Sequence, residues 1–319
     1  MAYNLQDTLV IGIAATALFD LTKEDKLFRD EYKKHPESAI DNYRKHMLES
    51  EHVTLGEGIG FPLVQSLLNL NRYQKSDASP LVEVVVMSRN SPDTGVRVLN
   101  TIRALNLNIT RSAFTAGESS ADYLEAFDVD LFLTTNESDA QKVIDNRVCA
   151  SAVLSTPPEY KCDIPEDQVR IAFDGDAVLF DESSELVYKE EGIQAFHENE
   201  YNSQNTPMGE GPFASFLKKL ARLQERLPMK MEFSPVRIAI VTARSAPADL
   251  RVIKTLRHWG VYVDEAFFLG DIEKSKILQS FKAHIFFDDQ DVHLKESSLV
   301  VPSGKVLYPS DSKLNHHKK

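Results

Sequence analysis

The sequence predicts an α/β fold made of two duplicated parallel-sheet halves. Two observations carry this. Short runs rich in Val, Ile and Phe alternate with helical patterns along the chain. Runs of this kind, without strict polar alternation, fit parallel strands covered on both faces. The second observation is an internal repeat. Ser88–Arg103 (S-R-N-S-P-D-T-G-V-R-V-L-N-T-I-R) matches Thr242–Arg257 (T-A-R-S-A-P-A-D-L-R-V-I-K-T-L-R) at an offset of 154. Ser91/Ser245, Arg97/Arg251, Val98/Val252, Thr101/Thr255 and Arg103/Arg257 coincide, and further along so do Leu124/Leu278, Phe127/Phe281 and Phe132/Phe286. Gly56-Glu57-Gly58 meets Gly209-Glu210-Gly211 at an offset of 153, and Leu18-Phe19-Asp20 meets Leu179-Phe180-Asp181 at 161. Each half is therefore expected to be Rossmann-like.

Strands are expected, in order, at Leu9–Ala15, Glu83–Met87, Ile109–Phe114, Asp130–Leu133, Ala150–Leu154, Ile171–Phe173, Arg237–Val241, Tyr262–Phe268, His284–Phe287 and Leu299–Val301. Helical patterns lie between them, such as Ala248–Trp259, which Gly260 closes. The first half covers residues 1–155 and the second 165–305, with the polar, proline-bearing stretch Ser155–Gln168 as connector. An insertion at 183–235 carries H-E-N-E, G-E-G-P and a helix from Phe213 to Arg226 with apolar Phe213, Phe216, Leu217, Leu220 and Leu223. Residues 306–319, ending N-H-H-K-K, read as a solvated, disordered tail.

Composition narrows the function. At 42% hydrophobic and 26% charged, the 319 residues are those of an ordinary globular protein. A formal net charge of -12 argues against nucleic acid as a partner, which needs a broad basic face. The apolar run Leu9–Phe19 is too short to span a bilayer, so no membrane association is expected. Two cysteines, Cys149 and Cys162, make no disulfide framework and point to a reducing, cytoplasmic setting. A homo-oligomer is compatible with all of this.

Chemistry concentrates in the second half, at four predicted strand ends or loops. Arg170–Glu182, R-I-A-F-D-G-D-A-V-L-F-D-E, runs a buried strand into Asp174-Gly175-Asp176. Gly175 is expected to let the chain turn sharply. Buried carboxylates need a partner or a metal, and magnesium suits an all-oxygen site. Thr242 ends the next strand, in V-T-A-R-S, and could donate to a phosphoryl oxygen. Beyond it Ser245 and Pro247 suit a helix start, whose exposed N–H groups make an anion site with Ala243 and Arg244. Lys274 in G-D-I-E-K-S-K-I-L supplies a cation, with Lys276 as its rival. H-I-F-F-D-D-Q ends a strand at Asp288-Asp289. In an open parallel sheet the strand ends face one crevice, so the four stations converge. At the repeat offsets Ile13 and Ala15 stand opposite Asp174 and Asp176, and Thr134-Thr135 opposite Asp288-Asp289. The first half thus lacks the acids a cation needs and is expected to be non-catalytic. Arg89 and Asn90, opposite the Thr242 turn, leave a second nucleotide site conceivable there.

D-G-D-A-V, Thr242, Lys274 and F-D-D together resemble the four motifs of the haloacid-dehalogenase-like (HAD-like) phosphohydrolases. More narrowly, R-I-A-F-D-G-D-A-V-L-F, V-T-A-R-S-A, T-L-R-H-W-G and H-I-F-F-D-D-Q resemble the AMP-preferring cytosolic 5'-nucleotidases of type I. A-L-F-D-L, G-V-R-V-L-N and G-E-G-I-G-F-P extend the likeness into the first half, so that it runs from about Leu9 to about Pro302. Ser275 stands where close relatives are expected to have Gly after the lysine.

The resemblance implies a magnesium-dependent hydrolase of nucleoside 5'-monophosphates. Asp174 would be the nucleophile and Asp176 the general acid and base. Asp174, the Asp176 carbonyl and Asp288 or Asp289 would hold Mg2+. Thr242, Ala243, Arg244 and Lys274 would bind the phosphate. The insertion would form a cap, with His197 and Asn199 as candidate nucleoside contacts. A phosphatase acting on another phosphomonoester, or a nucleotide-binding protein of little activity, are the alternatives.

Overall fold

The structure, a computed structural model, describes residues 5–75, 79–155, 168–228, 233–270 and 272–317. Most of the expected connector, with Cys162, lies outside the described residues. The first half runs β1 (Leu9–Ala14), α1 (Ala15–Leu18), β2 (Phe19–Asp20), α2 (Thr22–Lys34), α3 (Pro36–Glu49), β3 (Gly56–Glu57), α4 (Phe61–Asn69), β4 (Val82–Ser88), α5 (Val96–Ala104), β5 (Arg111–Phe114), β6 (Leu131–Thr134), α6 (Glu137–Asp145) and β7 (Ala150–Ser155). The second runs β8 (Val169–Phe173), α7 (Ser183–Asn202), α8 (Ala214–Glu225), β9 (Val236–Thr242), α9 (Asp249–His258), β10 (Glu265–Phe268), α10 (Lys274–Phe281), β11 (Ile285–Asp288), α11 (Asp291–Ser297) and β12 (Ser303–Lys305).

One ten-stranded sheet holds every strand but the β2–β3 ribbon, in the order β10-β9-β8-β11-β12-β7-β6-β1-β4-β5. Read outward from the β12–β7 seam, the two halves have the same strand order. All neighbours are parallel except β12 with β7, which are antiparallel. The carboxyl ends of the two halves therefore face opposite edges of the sheet.

The register corrects the expected alignment by one residue. Leu9 pairs with Val82 as Val169 pairs with Val236, and Ile11 pairs with Leu131 as Ile171 pairs with Ile285. The residue opposite Asp174 is thus Ala14, not Ile13, and counting on, Thr16 rather than Ala15 stands opposite Asp176. The offset changes inside the turn that follows. The first half makes it with the four-residue α1, the second with a five-residue π turn, Gly175–Leu179. There Ala177 takes the left-handed φ of 57°, whereas Gly175, the expected bend, does not. A π turn of this kind often marks a functional site. The G-E-G repeat has a packing cause. A Cβ on Gly58 would come within 2.6 Å of Ala17 O, and one on Gly211 within 2.3 Å of Phe180 O.

Three further expectations shift. Leu299–Val301 is not a strand, because Val300 and Val301 donate back to Ser297 O and finish the α11 turn, and pairing starts at Ser303. In the insertion, α8 packs inward with Phe216, Leu217 and Leu220 buried, and Phe213 lies 4.7 Å from Phe287 between ring centroids. Of the insertion's described residues, those of α7 cover the strand ends. The segment 306–317 is not a solvated tail. Val306 donates to Asp288 O, Leu307 and Leu314 are buried, and Ser310 N donates to Asp145 at 2.8 Å.

Helices cross the seam in a reciprocal way, α4 packing on β8 and α8 on β1. One core cluster consequently runs through both halves, from Leu9 and Ile11 to Phe173 and Phe287.

Candidate active site

The carboxyl ends of β8, β9 and β11 set Asp174, Thr242 and Asp288 side by side at one edge of the sheet, and α10 opens with Lys274 facing them. Lys274 Nζ lies 2.9 Å from Asp174 Oδ1 and 2.7 Å from Asp288 Oδ2, and all three side chains are almost wholly buried. Lys276, the rival cation, is exposed. The spacing along α10 explains this: Lys274 is four residues before the buried Leu278 and shares its face.

The charges here do not balance. Burial, Lys274, Asp288 and Asp176 act together on Asp174, and burial wins, pushing its carboxyl up to about 6. Burial also drives Asp289 well above the carboxylate range, helped by Asp288 and Asp174. For Asp288 burial is outweighed by Lys274 and His293, which hold it below its ordinary value. Burial disfavours a charged Lys274, but Asp174 and Asp288 more than offset it and raise its pKa.

Three buried carboxylates thus share one ammonium, an arrangement that asks for a further cation. Ligand atoms of Asp174, Asp288 and His293 lie within 4.8 Å of one another. Asp289 Oδ1 is buried without a hydrogen-bond partner, while its other oxygen accepts from the Tyr308 hydroxyl. The residues therefore fit a divalent metal, and the oxygen-rich set favours a hard ion. Asp176 does not join the cluster through its side chain. It faces the cavity and is gripped by the Arg244 fork, Nε to Oδ2 at 2.8 Å and Nη2 to Oδ1 at 2.6 Å.

Arg244 anchors a buried network. It also donates to Glu200, which accepts from Arg251 at 2.8 Å and from Ser184 at 2.8 Å. Glu200 and Ser184 belong to α7, so the network ties the covering helix to Asp176. Arg244's pKa stays raised because Asp176 and Glu200 outweigh the cost of burial.

These groups line a cavity of about 710 Å3, floored by Asp174, Asp176, Thr242, Ala243, Arg244 and Lys274. Tyr188, Ile193, Phe196 and His197 of α7 form its other wall. Asn199 is absent from that lining, and its amide turns towards Glu200 Oε1 at 3.4 Å. Asp289 lines an adjoining cavity with Tyr308 instead.

Sequence reading missed Glu200, His293 and Tyr308. A signal existed for Glu200: its partner Arg251 repeats Arg97, and Arg97 pairs in the same way with Glu24 of α2 at 2.6 Å. For Tyr308 there was none, since it lay in the segment read as a tail.

The 5'-nucleotidase family model matches residues 1–313. Human cytosolic 5'-nucleotidase 1B is 33% identical over 297 residues, covering 91% of this chain and 47% of that protein. The chain thus spans about half the length of this relative. A solved structure titled "Structure of Pnkp1/Rnl/Hen1 complex" aligns over 95% of this chain and 97% of its own at 13% identity, with a TM-score of 0.33. On the full-length match, the chain belongs to the 5'-nucleotidase family.

Proposed function

We propose that the chain is a cytoplasmic, magnesium-dependent 5'-nucleotidase that converts nucleoside 5'-monophosphates, AMP preferred, to nucleoside and phosphate. The Asp174–Lys274–Asp288 cluster on the floor of a cavity large enough for a nucleotide carries this reading. Family membership and the human relative's name support it, and no helix among the described residues is long and apolar enough to cross a membrane.

Asp174 attacks phosphorus and forms an aspartyl-phosphate, while the bond to the 5'-oxygen breaks. Asp176 gives that oxygen a proton, then takes one from the water that hydrolyses the intermediate. Both Asp176 oxygens are engaged by Arg244 before substrate arrives. An incoming phosphate offers the guanidinium an alternative fork partner, which frees Asp176 to act. Thr242 and Lys274 spread the charge of the transferring group. Magnesium, held by Asp174, the Asp176 carbonyl, Asp288 and Asp289, would neutralise phosphoryl charge at this floor. Tyr188, Ile193, Phe196 and His197, which line the wall of the cavity, would meet the nucleoside.

Phosphate release from a panel of nucleoside and sugar monophosphates tests this. AMP should be turned over fastest, and EDTA should stop the reaction. Preference for a sugar phosphate would assign a different substrate, and release from none of them would reduce the chain to a binding protein.

A further inference from the structure

The first half keeps a cavity where its copy keeps the active site. It measures about 180 Å3 and lies at the carboxyl ends of β1, β4 and β6. By register and offset, Ala14, Thr16, Ser88, Ser120, Thr134 and Thr135 of its lining occupy the places of Asp174, Asp176, Thr242, Lys274, Asp288 and Asp289. Hydroxyls have replaced the lysine and three of the four acids, and Ala14 the fourth. With Ala14 in the place of Asp174, no carboxylate stands where the second half has its proposed nucleophile.

The hydroxyls are arranged as donors. Ser88 Oγ accepts the Asn90 N–H at 3.2 Å and Thr134 Oγ1 the Asn136 N–H at 3.0 Å. Each therefore has its own proton to give. Thr16 and Thr135 hydroxyls lie 2.8 Å apart, so one proton of that pair is also spare. Ser88, Ser120 and Thr134 are buried. Asp139 is paired with the Arg89 fork and accepts from the Ser119 hydroxyl. Of the other charged groups in the lining, Asp25 is half-buried and Arg29 exposed at the rim. Asp25 and Arg29 offset each other's charge, so the free donors of the pocket are its hydroxyls, which suit an oxyanion, and the volume suits a phosphate group rather than a whole nucleotide.

We propose that the first half is a second, metal-independent binding site for a phosphate group, which it holds without hydrolysing. The site opens at the edge of the sheet opposite the catalytic cavity, so both can be filled at once. It shares no residue with the proposed nucleotidase site, so it stands or falls separately.

Phosphorus NMR titrations of the full chain in EDTA, with inorganic phosphate and separately with AMP, test it. Ser88→Ala with Thr134→Val should weaken phosphate binding about tenfold or more, and Thr242→Ala by less than about twofold. Arg29→Glu, on an exposed side chain at the rim, should weaken it in the same direction. The same response with AMP would identify the ligand as a nucleotide's phosphoryl end, and its absence would identify a free anion. Binding that follows Thr242→Ala, ignores the first-half variants or vanishes without metal would overturn the proposal.

Discussion

At Asp174 two forces oppose one another: burial favours the neutral acid, and the ammonium 2.9 Å away favours the carboxylate. Asp174→Asn keeps the volume and removes the nucleophile and metal ligand proposed above. Turnover should fall on the order of 10^4-fold or more, with an unchanged circular dichroism spectrum. Lys274→Ala should do two things. It should lower kcat on the order of 10^2 to 10^3-fold, as loss of a charge-stabilising donor does. It should also destabilise the protein by about 3–5 kcal/mol in EDTA, because Asp174 and Asp288 are left buried without their shared ammonium. Added magnesium should restore part of that melting temperature. Lys276→Ala, on the exposed side of α10, should change neither quantity much.

At the scale of elements, the π turn after β8 and the helix α7 shape the site. Ala177 holds a φ of 57° next to Asp176, in a position 5% exposed. Ala177→Gly suits that backbone and should keep both stability and activity. Ala177→Val cannot adopt it without strain of about 1–3 kcal/mol, and should lower melting temperature and kcat together. His197 stands on the wall of the cavity, so His197→Ala should raise KM for AMP more than it lowers kcat. An effect on kcat alone would place His197 at the reacting phosphate.

Across the whole molecule the halves are bound into one body. His284 accepts the Arg170 N–H on Nδ1 at 3.1 Å and lies 2.8 Å from Ser66 Oγ on Nε2, joining β8 to helix α4 of the other half. Burial, then Arg170, lowers its pKa from 6.5 to about 4, so it folds neutral. The unfolded chain takes up this proton first as the pH drops. The contribution is therefore fully present above pH 6.5 and is lost as pH falls towards 4, up to about 3 kcal/mol. Thermal melts across that window should show the slope, and His284→Gln should flatten it. The shared core makes a second expectation: residues 165–319 alone should not fold, since β8 and β12 would lose α4 and β7. A cooperative melt of that fragment would contradict the single core.

Hydrophobic runs and repeat spacing were enough to read the α/β class, the duplication and the strands carrying Asp174, Thr242 and Asp288. These are local signals, because a buried parallel strand needs a continuous apolar run and its end needs a polar turn. Lys274 was separable from Lys276 in the same way, by its distance from Leu278. The register was not legible: a one-residue π insertion leaves the sequence similarity intact while moving Ala14 opposite Asp174. Nor was the Arg244–Glu200–Arg251 network, whose members lie far apart in sequence. Tyr308 reaches Asp289 only because Val306 continues the pairing of β12 beyond the strand and draws the last segment over the site. Apolar pattern is written along the chain, whereas the partner of a buried charge is decided by which segments the sheet brings together.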